Sequence, residues 1–257
     1  MLIVLSPAKT LDFESRLPTR RHSLPAMLDA SAMLIEQLRG LPAAEIGTLM
    51  DISEPLAELN AARFRQWQPP FTPANARPAA LAFAGDVYEG LQAASLGSAG
   101  LTWAQSHVRI LSGLYGLLRP LDLIQPYRLE MGTRLANARG RDLYAFWGDR
   151  IAQALREALD AQRRPVLVNL ASDEYFRAAR ADSLGHRVVQ PVFQERRAGG
   201  WKVVSFSAKR ARGLMTRFAA EQRLTDPEDL KAFALEGYRH DADASDERHW
   251  VFRREQP

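Results

Sequence analysis

Residues 141–170 read RDLYAFWGDRIAQALREALDAQRRPVLVNL, and this stretch decides the class of fold. Apolar residues recur at helical spacing through 141–161, and the run at 165–170 is short, apolar and suited to a buried strand. A helical pattern that leads into a buried strand is typical of a sheet with helices packed on it. We therefore expect an α/β protein of mixed α+β character.

The same alternation of patterns extends along the chain in both directions. Further strands are predicted at 2–5, 80–84, 108–111, 187–193, 202–206 and 249–253. Further helices are predicted at 24–39, 43–50, 54–66 and 207–223, with shorter ones near 101–106 and 227–232. The strands at 187–193 and 202–206 flank Ala198-Gly199-Gly200, which predicts a hairpin. We expect one domain over residues 1–257, with helices packed on a mixed sheet whose strand order the sequence leaves open.

The composition excludes several classes of protein. Apolar residues make up 46% and charged residues 25% of the chain, the usual balance of a globular protein. No run of about 18 apolar residues is present, so we expect no membrane span. The apolar N-terminus has neither a basic region nor a small-residue cleavage site, and it reads as a first strand. The chain has no cysteine, which excludes disulfides, thiolate nucleophiles and iron–sulfur ligation, and we expect a cytoplasmic protein.

Positive charge is concentrated in one segment. The net charge is +4, and 30 of the 34 basic residues are arginines. Within 195–223 eight basic residues stand against two acidic ones, a local charge of +6. On a helical wheel the apolar residues of 207–223 fall on one face, opposite Lys209, Arg210, Arg212, Arg217 and Arg223. This pattern is typical of a surface that follows phosphates, although a solvated helix face and a codon bias toward arginine have the same signature.

Two other stretches carry groups that suit an anion. Lys9 and Thr10 follow the first strand in Ser6-Pro7-Ala8-Lys9-Thr10, a turn that offers one charge and one hydroxyl donor. Residues 111–132 hold Arg119 and Arg128 together with two tyrosines, and such donors and stacking faces suit nucleic acid. Two glycines three residues apart in this stretch would let backbone approach a ligand, or form a tight turn after a buried strand.

Acidic residues and histidines give weaker indications. Asp86, Glu130 and the pair Asp173-Glu174 lie near predicted strand ends, where they could act as acid–base groups, bind a metal, cap helices or form ion pairs. Residues 240–249 combine two histidines with carboxylates, a donor set that iron or manganese accepts and that a solvated acidic loop also has.

Residues 43–66 predict a tight helical hairpin, with Ser53 before the second helix and a proline in its first turn. Such a hairpin can present the amides of its second helix to a phosphate. It can equally be an ordinary packing unit, with five apolar residues in the core: Ile46, Leu49, Met50, Leu56 and Leu59.

Several long motifs, in order, resemble those of the YaaA family over essentially the whole chain. They are SPAKTL at 6–11, GDVYEGL at 85–91, LSGLYGLLRPLD at 111–122, PYRLEMG at 126–132, NLASDEYF at 169–176 and KRARGLM at 209–215. The resemblance implies a bacterial cytoplasmic protein of the peroxide-stress response, linked to limiting free iron and oxidative DNA damage. It implies DNA binding, a distinctive α/β fold, a positively charged cleft and a helix-hairpin-helix element, and it brings no agreed reaction.

Motif positions make Lys9, Arg128, Lys209, Arg210 and Arg212 candidates for lining that cleft. The helix-hairpin-helix element is either the 43–66 unit, which lacks the usual Gly-x-Gly turn, or the glycine-bearing 101–119 stretch, where Pro120 ends the second helix early.

The leading hypothesis is a protein that binds duplex or branched DNA through backbone contacts in a basic cleft. The predicted DNA-binding residues are Lys9, Arg119, Arg128, Lys209, Arg210, Arg212 and Arg217. The alternative is an enzyme whose cleft binds a phosphorylated or nucleotide-like substrate, with Lys9 and Arg128 as anion holders and Asp86 or Glu130 as acid–base groups. A third hypothesis is iron sequestration by the 240–249 loop. We expect no cofactor and no metal site, and the sequence leaves catalytic residues and oligomeric state open.

Overall fold

The computed structural model describes residues 1–255 and is built around strand β1 (Leu2–Leu5), which pairs in parallel with a strand on each side. All four residues of β1 are buried, so the centre of the sheet is covered on both faces, as parallel strands require.

The strands form one large mixed sheet and two short pairs. The bounds are β1 (Leu2–Leu5), β2 (Thr10–Leu11), β3 (Arg77–Pro78), β4 (Phe83–Ala84), β5 (Val108–Ser112), β6 (Gly116–Leu118), β7 (Leu123–Ile124), β8 (Val166–Leu170), β9 (Arg187–Arg197), β10 (Gly200–Lys202), β11 (Arg239–His240) and β12 (His249–Arg254). The large sheet has the order β11-β12-β9-β8-β1-β5-β6, and β10 pairs with β9. Its four central pairings, from β12 to β5, are parallel, and the pairings that involve β6, β10 and β11 are antiparallel.

The helices pack around this sheet. They are α1 (Leu28–Arg39), α2 (Ala43–Met50), α3 (Glu54–Gln66), α4 (Ala79–Ala82), α5 (Asp86–Leu91), α6 (Gly97–His107), α7 (Leu143–Trp147), α8 (Arg150–Asp160), α9 (Asp173–Phe176) and α10 (Ser205–Gln222). Short 3₁₀ turns lie at Ala93–Ser95, Arg177–Ala179, Ala181–Ser183, Pro227–Ala232 and Leu235–Gly237. Residues of β1 and β5 share an apolar pocket with residues of α5, α6 and α10, which places these three helices against the same part of the sheet.

The central strands and most helices confirm the expected mixed α/β architecture. The predicted strands at 2–5, 108–111, 165–170, 187–193 and 249–253 correspond to β1, β5, β8, β9 and β12, and the hairpin at Gly199 joins β9 to β10. The helices predicted at 43–50 and 54–66 match α2 and α3 residue for residue.

Three predicted elements are wrong in type or extent. The helix predicted over 141–161 is two helices, because Gly148 adopts φ 52° and ends α7. The strand predicted at 80–84 is mostly the helical turn α4, and its last two residues pair with β2. The strand predicted at 202–206 is wrong beyond Lys202, because β10 spans Gly200–Lys202 and the chain enters α10 at Ser205.

The 101–119 stretch is not a pair of helices. It contains the end of α6 and then the β5–β6 hairpin, so this candidate for the helix-hairpin-helix element is wrong. Of the two roles left open for its glycines, the structure has the tight turn after a buried strand, and both glycines are packed within the protein. A Cβ on Gly113 would collide with the Leu129 carbonyl oxygen, and Gly116 lies against Trp147.

The 43–66 unit is a helical hairpin whose turn passes through Asp51 at φ 50°. Ile46 and Met50 are buried, but Leu56 and Leu59 are exposed, so the expectation that both pack in the core is wrong. The hairpin carries four acidic residues, Glu45, Asp51, Glu54 and Glu58, against two basic ones, Arg63 and Arg65. Negative charge at the turn opposes phosphate binding there.

Candidate anion-binding cleft

A cleft of about 390 Å³ opens where strands β1 and β8 end. Ser6 follows β1 and Ser172 follows β8, and the Ser172 amide donates to Ser6 Oγ at 2.8 Å. The two hydroxyl oxygens are 3.2 Å apart. These bonds hold the two strand-end loops together, at the edge of a parallel sheet where α/β proteins commonly bind ligands.

Glu130 holds two of the predicted anion-binding residues on one wall of the cleft. Its Oε2 is 2.9 Å from Lys9 Nζ, and its Oε1 accepts from Arg128 Nη2 at 3.2 Å. Arg128 Nε is buried and has no hydrogen-bond partner among the described residues. Two cations therefore share one carboxylate, and one buried donor of Arg128 remains unsatisfied, which leaves this wall with capacity for a further anion.

Helix α10 contributes Lys209 and Arg212, one turn apart, to the lining of the cleft. Lys209 is exposed, whereas Arg212 is half-buried, and burial lowers the pKa of the Arg212 guanidinium against the opposing effect of Asp173. Within residues 1–255 neither side chain lies within ion-pair distance of a carboxylate. These two cations therefore face the cleft with their donors available.

Three tyrosines, Tyr88, Tyr127 and Tyr175, also line the cleft. Tyr88 donates its hydroxyl to the Ser6 carbonyl at 2.9 Å, and Tyr127 bonds Ser112 Oγ at 2.6 Å. Burial raises the pKa of all three phenols, so each stays neutral at physiological pH. They provide aromatic surface without adding charge.

The cleft has mixed charge. Its lining includes four basic residues, Lys9, Arg128, Lys209 and Arg212, and three acidic ones, Asp86, Glu130 and Glu174. Asp86 begins α5 directly after Gly85, whose φ of 148° suits only glycine. Glu174 Oε1 accepts from the Gly132 amide at 2.9 Å. Of the four basic residues, Lys209 and Arg212 are the two that form no ion pair with a carboxylate of residues 1–255.

The structure brings four of the seven predicted DNA-binding residues into the cleft and places the other three elsewhere. Arg119 pairs with Asp122 at 3.0 Å and lies beyond the end of β6, beside the start of β5. Arg210 bonds Glu236 through Nε and Nη2 at 2.8 and 2.7 Å. Arg217 pairs with Glu221 and also donates to Ser95 Oγ at 2.8 Å. The net charge of +6 counted over residues 195–223 overstates the unpaired positive charge, because Glu236, which pairs with Arg210, lies outside that segment.

The 240–249 loop does not assemble its histidines and carboxylates around a common point. Asp241 pairs with Arg253 at 2.6 Å, and Asp246 pairs with His249 at 3.0 Å. Over residues 1–255 no three histidine or carboxylate side chains are grouped as a metal ion would require. Nor does that part of the chain contain a helix with the length and apolar character needed to cross a bilayer.

The sequence did not predict the contacts that hold the cleft together. The Ser6–Ser172 contact joins residues 166 positions apart, and no local pattern reports it. The sequence placed Glu174 just after a predicted strand, but its hydrogen bond from the Gly132 amide depends on a loop 42 residues away.

Fold and cleft together define a mixed α/β protein with a cleft of mixed charge at the carboxyl edge of its parallel strands. A family model described as "Peroxide stress protein YaaA" matches residues 1–244, and the chain belongs to this family. Two UPF0246 proteins of Burkholderia cenocepacia, from strains J2315 and HI2424, are 59% and 58% identical to it, each over 99% of this chain and 98% of the relative. A UPF0246 protein of Ralstonia pickettii strain 12J is 58% identical over 99% of both chains.

Proposed function

We propose that this member of the peroxide-stress family acts in the cytoplasm by binding DNA phosphates at the Lys209–Arg212 side of the cleft. The observation that carries the proposal is the pair of cations on α10 that face the cleft without a carboxylate partner. Cations already neutralised within the protein contribute little to phosphate binding, whereas free ones release counterions from DNA.

The size of the cleft limits how DNA is bound. About 390 Å³ is within the range of small-molecule sites, roughly 300–1,000 Å³, and cannot enclose a duplex. We therefore propose that the exposed Lys209 contacts phosphates along the rim and that Arg212, deeper in the cleft, takes a single phosphate group. This mode needs no base contacts and gives binding that tolerates any sequence.

The negative charge of the 43–66 hairpin favours the cleft, rather than the hairpin, as the surface that contacts DNA. Residues Asp51 and Glu54 lie at and just after the turn that would approach a phosphate. In this proposal the hairpin packs within the protein, and any effect on free iron and oxidative DNA damage follows indirectly from DNA binding.

A double variant tests the proposal. Lys209→Ala with Arg212→Ala should weaken binding of duplex and branched DNA and flatten the slope of log affinity against log salt by about two units. The matched control removes two exposed arginines that have no ionic partner, Arg20→Ala with Arg163→Ala, and has the same net charge. Equal affinity and slope in the two folded double variants would overturn the proposal.

The second candidate is an enzyme acting on a phosphorylated or nucleotide-like substrate in the same cleft. It is favoured by the volume of the cleft and by the Asp86 carboxylate, which faces the same space as Arg212 and has no hydrogen-bond partner among the described residues. A free carboxylate beside an anion-holding arginine is the arrangement that general acid–base chemistry on a phosphorylated substrate uses. Turnover of a nucleotide by the protein, lost in Asp86→Asn, would establish this reading.

A further inference from the structure

A second pocket, of about 480 Å³, adjoins the cleft and is lined by Gly132, Arg134, Arg141, Asp142, Tyr144 and Arg177. We call it the arginine pocket. Neither Arg134 nor Arg177 belongs to the set of residues predicted to bind DNA, and neither has a part in the cleft.

The arginine pocket has a clear excess of positive charge. Three arginines, Arg134, Arg141 and Arg177, line it with one carboxylate, Asp142. That carboxylate is already engaged, because its Oδ1 accepts from the Ala145 amide at 2.8 Å and its Oδ2 lies 3.7 Å from Arg141. Arg134 and Arg177 form no ion pair with any carboxylate in residues 1–255. Their donors are therefore available to a ligand from solvent.

One of these arginines is held in place by an aromatic ring. The Arg177 guanidinium lies over the Tyr144 ring, 4.4 Å from its centre. Tyr144 in turn donates its hydroxyl to the Glu174 carbonyl at 2.8 Å, which fixes the ring. A stacked guanidinium keeps its planar edge free for two parallel hydrogen bonds, and it loses less conformational entropy when it binds an anion.

The arginine pocket and the cleft share a wall. Glu174 lines the cleft, Gly132 lines the arginine pocket, and the two are joined by the 2.9 Å bond from the Gly132 amide to Glu174 Oε1. This hydrogen bond therefore connects the linings of the two spaces.

We infer that the arginine pocket binds a phosphate group through Arg134, Arg141 and Arg177. Phosphate matches the planar forks of arginine, and three forks with one engaged carboxylate leave a net charge suited to a dianion. The phosphate comes either from a free phosphorylated compound or from the backbone of DNA already held at the cleft. Only the second source rests on the proposed function.

The experiment uses the full chain and two probes, inorganic phosphate and a twelve-residue oligothymidylate without terminal phosphates. Arg134→Ala with Arg177→Ala should weaken phosphate binding by about tenfold or more, since two charge-assisted contacts are lost. Arg20→Ala with Arg163→Ala should bind phosphate as the unchanged protein does. Thermal denaturation checks the fold, and the exposed Arg134→Ala alone serves if the double variant is unstable.

The two probes distinguish the sources. Weaker binding of phosphate alone assigns the arginine pocket to a free phosphorylated compound, and weaker binding of both probes makes it part of the path of DNA. Equal phosphate affinity in the arginine-pocket variant and its control, or no phosphate binding by the unchanged protein, overturns the inference. A different result contradicts the proposed function, namely unchanged oligonucleotide affinity in the Lys209→Ala, Arg212→Ala variant.

Discussion

Gly90 of α5 and Gly213 of α10 lie at the crossing of the two helices, each against the backbone of the other helix. A Cβ on Gly213 would collide with the Val87 carbonyl oxygen and lie 2.7 Å from the Leu91 nitrogen. A Cβ on Gly90 would collide with the Arg210 carbonyl oxygen. Both helices contribute to the lining of the cleft, Asp86 from α5 and Lys209 and Arg212 from α10, so this close approach fixes where these residues lie relative to one another.

Gly213→Ala should destabilise the protein and weaken ligand binding together. The methyl group has to displace backbone atoms rather than a flexible side chain, and overpacking of this kind costs about 1–3 kcal/mol. For a chain of this length that corresponds to a fall in Tm of about 2–4 °C per kcal/mol. Thermal denaturation and DNA binding measure the two effects.

Gly40→Ala is the matched control for this substitution. Gly40 has φ −75°, and its nearest neighbour to an added Cβ is 3.5 Å away. The Tm of the Gly40→Ala variant should stay within about a degree of the Tm of the unchanged protein. A Gly213→Ala protein of unchanged Tm would show that α5 and α10 can separate without cost.

Glu236→Gln should strengthen DNA binding. Glu236 accepts two hydrogen bonds from Arg210 and also lies 3.5 Å from Arg254. Removing its charge leaves the Arg210 guanidinium without its counterion, and Arg210 is only three residues from Gly213 on the helix that lines the cleft. We expect a steeper salt dependence, by about one unit in the slope. Glu228→Gln, which loses an equal charge next to Arg187, is the control, and an equal gain in both variants would indicate a general charge effect.

The five strands joined by parallel pairing, β1, β5, β8, β9 and β12, were predictable from the sequence because each has a local pattern, whereas β6 and β11 were not predicted. β8 is a short apolar run, β9 alternates apolar and polar residues, and the hairpin needed only Gly199 and Gly200. The break between α7 and α8 was not predictable in the same way. The apolar spacing continues through Gly148, and the structure ends the helix there with a positive φ that glycine adopts easily because it is achiral and has no Cβ.

The cleft was predictable only in part, for a reason that concerns charge. Sequence gives the identity of a cation but not its partner. Lys209 and Arg210 are adjacent and look equivalent, yet Lys209 faces the cleft and Arg210 is bound to Glu236, 26 residues further along the chain. The same reason applies to Arg119, whose charge is neutralised by an ion pair with Asp122 that the sequence did not predict.

Glu130→Gln and Asp86→Asn distinguish a binding protein from an enzyme. If the cleft only binds DNA, Glu130→Gln should raise DNA affinity, because it frees Lys9 and Arg128 from their shared counterion. Asp86→Asn should leave the affinity unchanged or slightly higher, since it removes a negative charge near phosphate. An enzyme would keep substrate binding and lose turnover. Loss of peroxide protection in cells by either variant, with DNA binding intact, would favour the enzyme.

The stability of the protein should fall below neutral pH, in part through His107. Burial lowers the pKa of His107, whose ring stacks on Trp103 and whose Nδ1 lies 2.9 Å from the Trp103 carbonyl oxygen. The unfolded chain then binds a proton more readily than the folded one, so this stability is complete above the unfolded pKa of about 6.5 and is lost as the pH falls through the lower folded value. Urea denaturation at pH 7.5 and 5.5 should show a smaller loss in His107→Gln than in the unchanged protein. An equal loss in both proteins would assign the pH dependence to other groups.

We predict that the protein has no tight stoichiometric site for ferrous iron. With no cysteine, the ligands would have to be carboxylates and imidazoles, and the sequence places the densest group of these at 240–249. In the structure Asp241 forms an ion pair with Arg253. Asp246 accepts hydrogen bonds from the His249 ring and from the backbone amides of Arg248 and His249. An iron ion would have to break these contacts, and loop ligands without supporting bonds of their own hold metals poorly. Anaerobic calorimetric titration with ferrous iron should therefore give no saturable isotherm. A one-to-one isotherm that disappears in His240→Ala with His249→Ala would contradict this prediction and favour iron sequestration by the 240–249 loop.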